Sequence, residues 1–301
     1  MNDVVTFYNV TKTYKDQKAV NEVSFSIQSG EIVAILGPNG AGKSTTIMLM
    51  LGLLEPSLGL VQLFTHSPKE KLVRERIGAM LQEVSVIDRL KVKEILELFR
   101  SYYSNPLSLS ELIKLSGMST ELLNQRAEKL SGGQKRMLNF ALSLAGNPDL
   151  LFFDEPTVGM DIKARANFWN TIRILKDKGK TIIFTTHYLQ EADDVAERIL
   201  LLHDGKLVAD GHPSEIKKKI TKQSVSFLAS TDLTLDQFRS LPHVEDVYLE
   251  EGRIYLITND TDTVLFSLIK SNSSAEISEI QIKQGRLDEV FEQLTLSKEA
   301  Q

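Results

Sequence analysis

Cysteine is absent from all 301 residues. That excludes a disulfide framework and any thiolate metal site, and it suits a reducing compartment. Excess positive charge is missing as well. The 35 Lys and Arg against 40 Asp and Glu leave a net charge of −5, so no overall basic field exists to hold a nucleic acid nonspecifically. The opening MNDVVTFYNVTKTYKD lacks the basic start and apolar run of a secretory signal, and the chain is expected in the cytosol. An uninterrupted apolar stretch of about 20 residues, the length a spanning helix needs, is lacking too. The most apolar region, 47–64, is broken by Glu55, Pro56 and several glycines, so any work at a membrane is expected from outside the bilayer. There is no internal repeat, and the length suggests one large domain with a smaller one.

What is present centres on GPNGAGKST, Gly37 to Thr45, which fits G-x-x-x-x-G-K-[ST] without substitution. Gly37, Gly40 and Gly42 let consecutive backbone N–H groups turn inward on one small volume, and a helix starting near Lys43 points its positive dipole end there. Such a nest suits a polyphosphate. Lys43 is placed to reach the β- and γ-phosphates as a point charge, and the Ser44 hydroxyl to ligate a magnesium ion bridging them. The flanks agree: 31–36 reads as a buried strand and 46–54 as an apolar helix.

Ahead of the loop, 4–10 and 19–27 read as strands, with Tyr14 between them. Its flat ring can stack on a base; the competing reading is a surface tyrosine on a hairpin. Behind the loop, 60–64 and 77–81 read as strands, the second ending at Gln82, a neutral amide able to contact magnesium or water beside phosphates. Helical patterns follow over 91–103, 110–115 and 120–129, a helical insert between strands. The insert leads into Leu130-Ser-Gly-Gly-Gln134 and a helix over 135–144. Ser131, Gly132 and Gly133 again gather free N–H groups at a positive helix end, which implies a second phosphate-binding surface, unless they form only an ordinary serine cap.

Leu150 to Phe153 is a buried strand delivering Asp154 and Glu155. Paired carboxylates at the carboxyl end of a strand sit where ligands bind in open α/β sheets, and they would be costly to bury without a cation. Asp154 can hold magnesium through water, and Glu155 can polarise an attacking water. Asp161 follows in a turn, then a helix over 164–175, a strand over 180–185 that delivers His187, an acidic helix over 190–198, and a hairpin over 199–208 turning at Asp204-Gly205. From 221 the order changes to βαββαβ, the ferredoxin-like pattern, with a final helix over 287–294. No catalytic cluster falls there, and a regulatory or dimer-forming role is expected.

Taken together, the phosphate loop, Gln82, LSGGQ, LLFFDEP at 150–156, Asp161 and His187 resemble, in order and spacing, the ATPase subunits of ABC transporters over roughly the first 220 residues. The resemblance implies a phosphate-loop α/β fold with an antiparallel β subdomain and a helical subdomain over 1–220, and a small α+β accessory or dimerisation domain over 221–301. It makes Tyr14 the adenine-stacking residue. It makes Gly37, Pro38, Asn39, Gly40, Ala41, Gly42, Lys43, Ser44 and Thr45 the Walker A loop, Gln82 the Q-loop, Asp154 the Walker B aspartate, Glu155 the catalytic base, Asp161 the D-loop and His187 the switch histidine. Ser44, Gln82 and Asp154 would hold magnesium. Ser131, Gly132, Gly133 and Gln134 would close on ATP held by a second copy or a related ATPase subunit. Ile162 departs from the proline many members carry there, a change expected in loop stiffness rather than chemistry. IGAMLQEVSVIDRLKVKEILELF and LDEVFEQL look like the exporter subgroup, whose ATPases lie on the inner face of the membrane against a separate permease. Soluble ABC ATPases acting on ribosomes or DNA are the alternative, but they carry two ATPase domains or long coiled-coil insertions, neither visible here. A sensor that binds without hydrolysing is disfavoured by Glu155 and His187.

Overall fold

The computed structural model describes residues 3–82, 87–220, 223–229, 235–250, 252–271, 277–283 and 287. The chain divides into two compact units, Met1–His212 and Pro213–Gln301. The first unit opens with a hairpin of β1 (Asp3–Tyr14) and β2 (Gln17–Gln28), followed by β3 (Ile32–Leu36), α1 (Lys43–Met50), β4 (Leu58–Leu63), α2 (Lys71–Arg74) and β5 (Ile77–Met80). Helices α3 (Val92–Arg100), α4 (Leu109–Ser116) and α5 (Gly132–Leu144) come next. Then follow β6 (Leu150–Asp154), α6 (Ile162–Asp177), β7 (Thr181–Thr185), α7 (Leu189–Val195), β8 (Arg198–His203) and β9 (Lys206–Gly211).

These strands form two sheets, an antiparallel one in the order β2-β1-β4 and a larger one in the order β5-β6-β7-β3-β8-β9, parallel except for β9. Strands β3, β6 and β7 are buried at every residue, as their unbroken apolar runs demand of parallel strands covered on both faces. Successive side chains point to opposite faces, so each strand serves two cores. Val33, Ile35, Leu150, Phe152 and Ile183 pack with Ile47 and Met50 of α1 and with Val5, Phe7 and Ile27 of the antiparallel sheet. Phe153 and Phe184 take the other face, where Phe140 of α5 meets Phe153 at a tilt and Phe168 and Trp169 of α6 meet them edge to face, with Trp169 4.8 Å from Phe184 and Phe168 5.5 Å from Phe153. Two such cores fix the strand ends that carry the polar loops.

The region 120–129 departs from its expected helix. It forms two separate 3₁₀ turns, Thr120–Asn124 and Ala127–Lys129. The Val92 N–H donates to the Gln125 carbonyl and the Ala127 N–H to the Leu90 carbonyl, both at 3.0 Å. These bonds hold Gln125 and Arg126 extended and stop the helix between the two turns. Helix α3 also ends at Arg100, short of Tyr103.

The second unit starts with α8 (Pro213–Ile220), so the lysine run falls there and the division comes earlier than the boundary expected after 220. Strand β10 (Gln223–Ala229), α9 (Leu235–Arg239), β11 (Val244–Glu250), β12 (Arg253–Thr258), α10 (Thr261–Ser271) and β13 (Ile277–Lys283) follow. The sheet order is β11-β12-β10-β13, antiparallel throughout. Element order and sheet order together are those of a ferredoxin-like fold. Val225, Phe227, Leu256, Phe238, Val264 and Leu268 form its core. The helix expected over 287–294 lies outside the described residues apart from Leu287. No helix among the described residues is long and apolar enough to cross a membrane.

Candidate nucleotide site

Neighbouring strands β5, β6, β7 and β3 end side by side, and each delivers one polar loop from its carboxyl end: Gln82, Asp154-Glu155, His187 and the phosphate loop. This is the edge at which ligands bind in open α/β sheets. The phosphate loop needs glycine at two positions for steric reasons. A Cβ on Gly37 would lie 2.2 Å from the Leu202 carbonyl oxygen, and one on Gly42 2.3 Å from that of Ala19, with φ of 155° and 101°. Ala19 belongs to the strand returning from Tyr14, so the hairpin tip lies on the loop's side of the sheet. Tyr14 itself is 45% exposed, with the Lys12 ammonium over its ring 5.4 Å from the centroid.

Helix α1 begins at Lys43, and Ser44 is exposed in its first turn. The Lys43 ammonium donates to the carbonyls of Gly37 at 2.7 Å and Pro38 at 3.1 Å, folded back over the loop. Burial holds its pKa below the ordinary lysine value, while the carboxylates of Glu155 and Asp154 pull it the other way. Asp154 is buried, and the Thr185 hydroxyl donates to its Oδ1 at 2.5 Å. Glu155 adopts φ of 49°, the left-handed region an L side chain rarely takes. Its surroundings hold it there: its N–H donates to the Thr185 hydroxyl at 3.0 Å, and its carbonyl accepts from Arg136 Nη1 at 3.0 Å. Arg136 reaches the Pro156 carbonyl as well, at 3.1 Å, and burial lowers its pKa while Glu155 opposes that shift.

Gln82 Nε2 donates to Glu155 Oε2 at 3.1 Å, and His187 Nδ1 lies 3.5 Å from the same oxygen. Gln82, expected at magnesium or water, and His187, expected at the γ-phosphate, thus converge from separate loops on the expected base. Ser131 caps α5, accepting from the Gln134 N–H at 3.3 Å while Gln134 Oε1 accepts from the Ser131 N–H at 2.9 Å, so the serine cap is real. Gly132 and Gly133 differ from the phosphate-loop glycines, because a Cβ on either would meet nothing within 4 Å. Asp161 caps α6, its Oδ1 accepting from the Ala164 N–H at 2.8 Å, and Ile162 begins that helix 88% exposed. The cap fixes the entry to α6 without the proline that favours a first helical position.

The ABC transporter profile matches residues 20–158. The Nod factor export ATP-binding protein I of Mesorhizobium japonicum is 33% identical over 298 residues, 97% of this chain and 86% of that protein. The chain belongs to the ATP-binding proteins of the ABC transporter family. Its similarity to the linearmycin resistance ATP-binding protein LnrL of Bacillus subtilis, 30% identical over 301 residues, covers 95% of this chain and 96% of that one, both units included. Among solved structures, a dimeric ATP-binding cassette in a post-hydrolysis state bound to ADP and Pi matches with a TM-score of 0.64 and 30% identity, over 69% of this chain and 98% of that one. Of these two relatives, the first is named for export and the second for resistance to linearmycin.

Several residues around the candidate site carry no motif signal of their own. Arg136 and Thr185 shape the Glu155 backbone, and Glu191 of α7 is buried and accepts from the hydroxyl of Thr186, the residue before His187. A charged residue on the buried stripe of α5, between the signature and Phe140, is the signal for Arg136.

Proposed function

We propose that two copies of this chain, or this chain and a related subunit, close head to tail on two ATP molecules. Closure and hydrolysis drive a separate membrane-spanning permease that exports a substrate from the cytoplasm. The convergence of Gln82 and His187 on Glu155 beside the phosphate loop carries this reading. ATP would lie with its phosphates in the nest of Gly37 to Thr45 and its adenine on Tyr14. Lys43 turns from its loop carbonyls to the β- and γ-phosphates. Glu155 orients and polarises the attacking water, and His187 contacts the γ-phosphate.

The donor set fits magnesium. Among the described residues no group of three or more His, Cys, Asp or Glu could form a chelating cage. Magnesium would be held by oxygen donors, the Ser44 hydroxyl, the Gln82 amide and, through water, Asp154. The ion would neutralise charge between the β- and γ-phosphates.

Support for the second half-site comes from Gly132 and Gly133. Each sits in the first turn of a helix, where glycine is a weak former, and among the described residues nothing lies within 4 Å of where its Cβ would be. A surface that must come within backbone distance of a phosphate held by another copy explains the choice. Gly132→Ala is therefore expected to leave the unfolding midpoint unchanged or raised, with at most about 1 kcal/mol gained, while turnover falls about tenfold or more. Unchanged turnover would remove this glycine from the site.

A detergent-extracted affinity purification of the Glu155→Gln chain with ATP present tests the whole reading. A polytopic membrane protein in stoichiometric amount is expected. Ribosomal or DNA-bound partners without a membrane protein would favour a soluble ABC ATPase instead. The cargo is set by the permease, and the second unit, through its ferredoxin-like fold, would serve dimerisation or regulation.

A further inference from the structure

Next to the histidine in sequence, Thr186 bonds a buried carboxylate that the roles above do not use. The Glu191 side chain is 7% exposed, and such a charge needs partners. It has three. The Thr157 hydroxyl donates to Oε1 at 2.7 Å with a longer contact of 3.0 Å to Oε2, the Thr186 hydroxyl donates to Oε2 at 2.8 Å, and Arg165 Nε lies 3.4 Å from Oε1. Arg165 Nε is buried and makes no hydrogen bond among the described residues, so Glu191 compensates it by charge. Both threonines are buried, at 1% and 3% exposure.

The three partners come from three different segments. Thr157 follows Glu155 by two positions, Thr186 immediately precedes His187, and Arg165 is in the first turn of α6, just past Asp161. Two routes lead from the carboxylate to the histidine. Along the backbone, the Thr186 hydroxyl that donates to Glu191 also accepts from the Tyr188 N–H at 3.0 Å, bracketing His187 on both sides. Through rings, the Arg165 guanidinium sits 4.4 Å over the Tyr188 ring, whose centroid is 4.3 Å from that of His187. His187 itself is half exposed, with its Nδ1 near Glu155, and nothing bonded to its ring from behind is needed once these two supports fix its backbone and one face.

We propose that Glu191 is a positioning residue for ATP hydrolysis, joining the segments that carry Glu155, His187 and Asp161 into one unit and holding His187 at the reacting phosphate. This rests on the assignment of His187 to the γ-phosphate. A carboxylate that merely anchored α7 would act on stability and would be indifferent to whether the histidine is there.

The test is a double-mutant cycle in the full-length chain, with steady-state and single-turnover ATP hydrolysis, KM for ATP and thermal unfolding measured for each variant. Glu191→Gln keeps the size and removes the charge. Turnover is expected to fall about tenfold with KM within about twofold of the parent, the signature of an interaction that matters in the transition state rather than in binding. In a His187→Ala background the same change is expected to have no further effect, since there is no longer a histidine to hold. Thr186→Val is expected to reproduce the loss and Thr186→Ser to restore the rate. Equal fold losses with and without His187, or a lowered unfolding midpoint with unchanged turnover, would overturn the positioning role. Parental turnover in His187→Ala alone would overturn the histidine assignment itself, which separates the two failures. Should Glu191→Gln not fold, the Thr186→Val and Thr186→Ser pair run through the same cycle decides the question, because those variants keep the carboxylate and its Arg165 partner.

Discussion

Replacing Glu155 by glutamine is expected to leave ATP affinity intact or slightly raised and to cut turnover by about a hundredfold to ten-thousandfold, the range a positioned general base contributes. The substitution is nearly isosteric, so the hydrogen bond from Gln82 Nε2 to position 155 has an acceptor to keep. The backbone supports, from Thr185 to the N–H and from Arg136 to the carbonyl, do not involve the side chain and survive. What disappears is a carboxylate able to polarise water, together with one negative charge beside a polyanion. Binding therefore holds while chemistry stops. If two copies close on ATP, the arrested state accumulates as a nucleotide-bound dimer, visible by size-exclusion chromatography with ATP and absent with ADP. Normal turnover in the variant would sink Glu155 as the base; a loss of ATP binding would show that the carboxylate supports the loop rather than the reaction.

The central layer was readable from the sequence because its physics is local. Runs such as IVAIL, LLFFD and TIIFT are too short and too rich in β-branched and aromatic residues to favour helices, and as strands buried on both faces their polar exits fall on one edge of the sheet. The phosphate loop announced itself by glycines whose need is steric. The ferredoxin-like order of the second unit was equally legible, since alternating hairpins and short helices admit few sheet orders. The region 120–129 was not. Its helical pattern is genuine, but long-range backbone bonds to Leu90 and Val92 override it, and no periodicity records those partners. The same limit hides the support of the site. Glu191 sits in a helix that reads simply as acidic, and only the fold reveals that this one carboxylate turns inward toward Thr157, Thr186 and Arg165. Thr185 reads as the last residue of an apolar strand until β7 is set beside β6, where its hydroxyl meets Asp154.

Lys43→Ala is expected to abolish productive ATP binding, with affinity falling at least about a hundredfold, or ~2.7 kcal/mol. Two effects act in the same direction. The ammonium that would meet the β- and γ-phosphates is lost, and a charge pair inside a partly enclosed site is worth far more than in bulk water. The lysine is also the cation that sits within the field of Asp154 and Glu155, and without it two carboxylates face an incoming polyphosphate with less opposing charge. Stability without nucleotide is expected to change much less. The side chain is only partly buried, the hydrogen bonds it gives up are to the Gly37 and Pro38 carbonyls, and removing a desolvated ammonium offsets part of their loss. Fluorescent-nucleotide titration together with thermal unfolding, with and without ATP, separates the two quantities. The parent should be stabilised by ATP and the variant should not, while their midpoints without nucleotide stay close. Retained ATP stabilisation in Lys43→Ala would mean that the backbone nest and helix α1 hold the phosphates unaided, and the loop lysine would then have to act in the reaction rather than in binding.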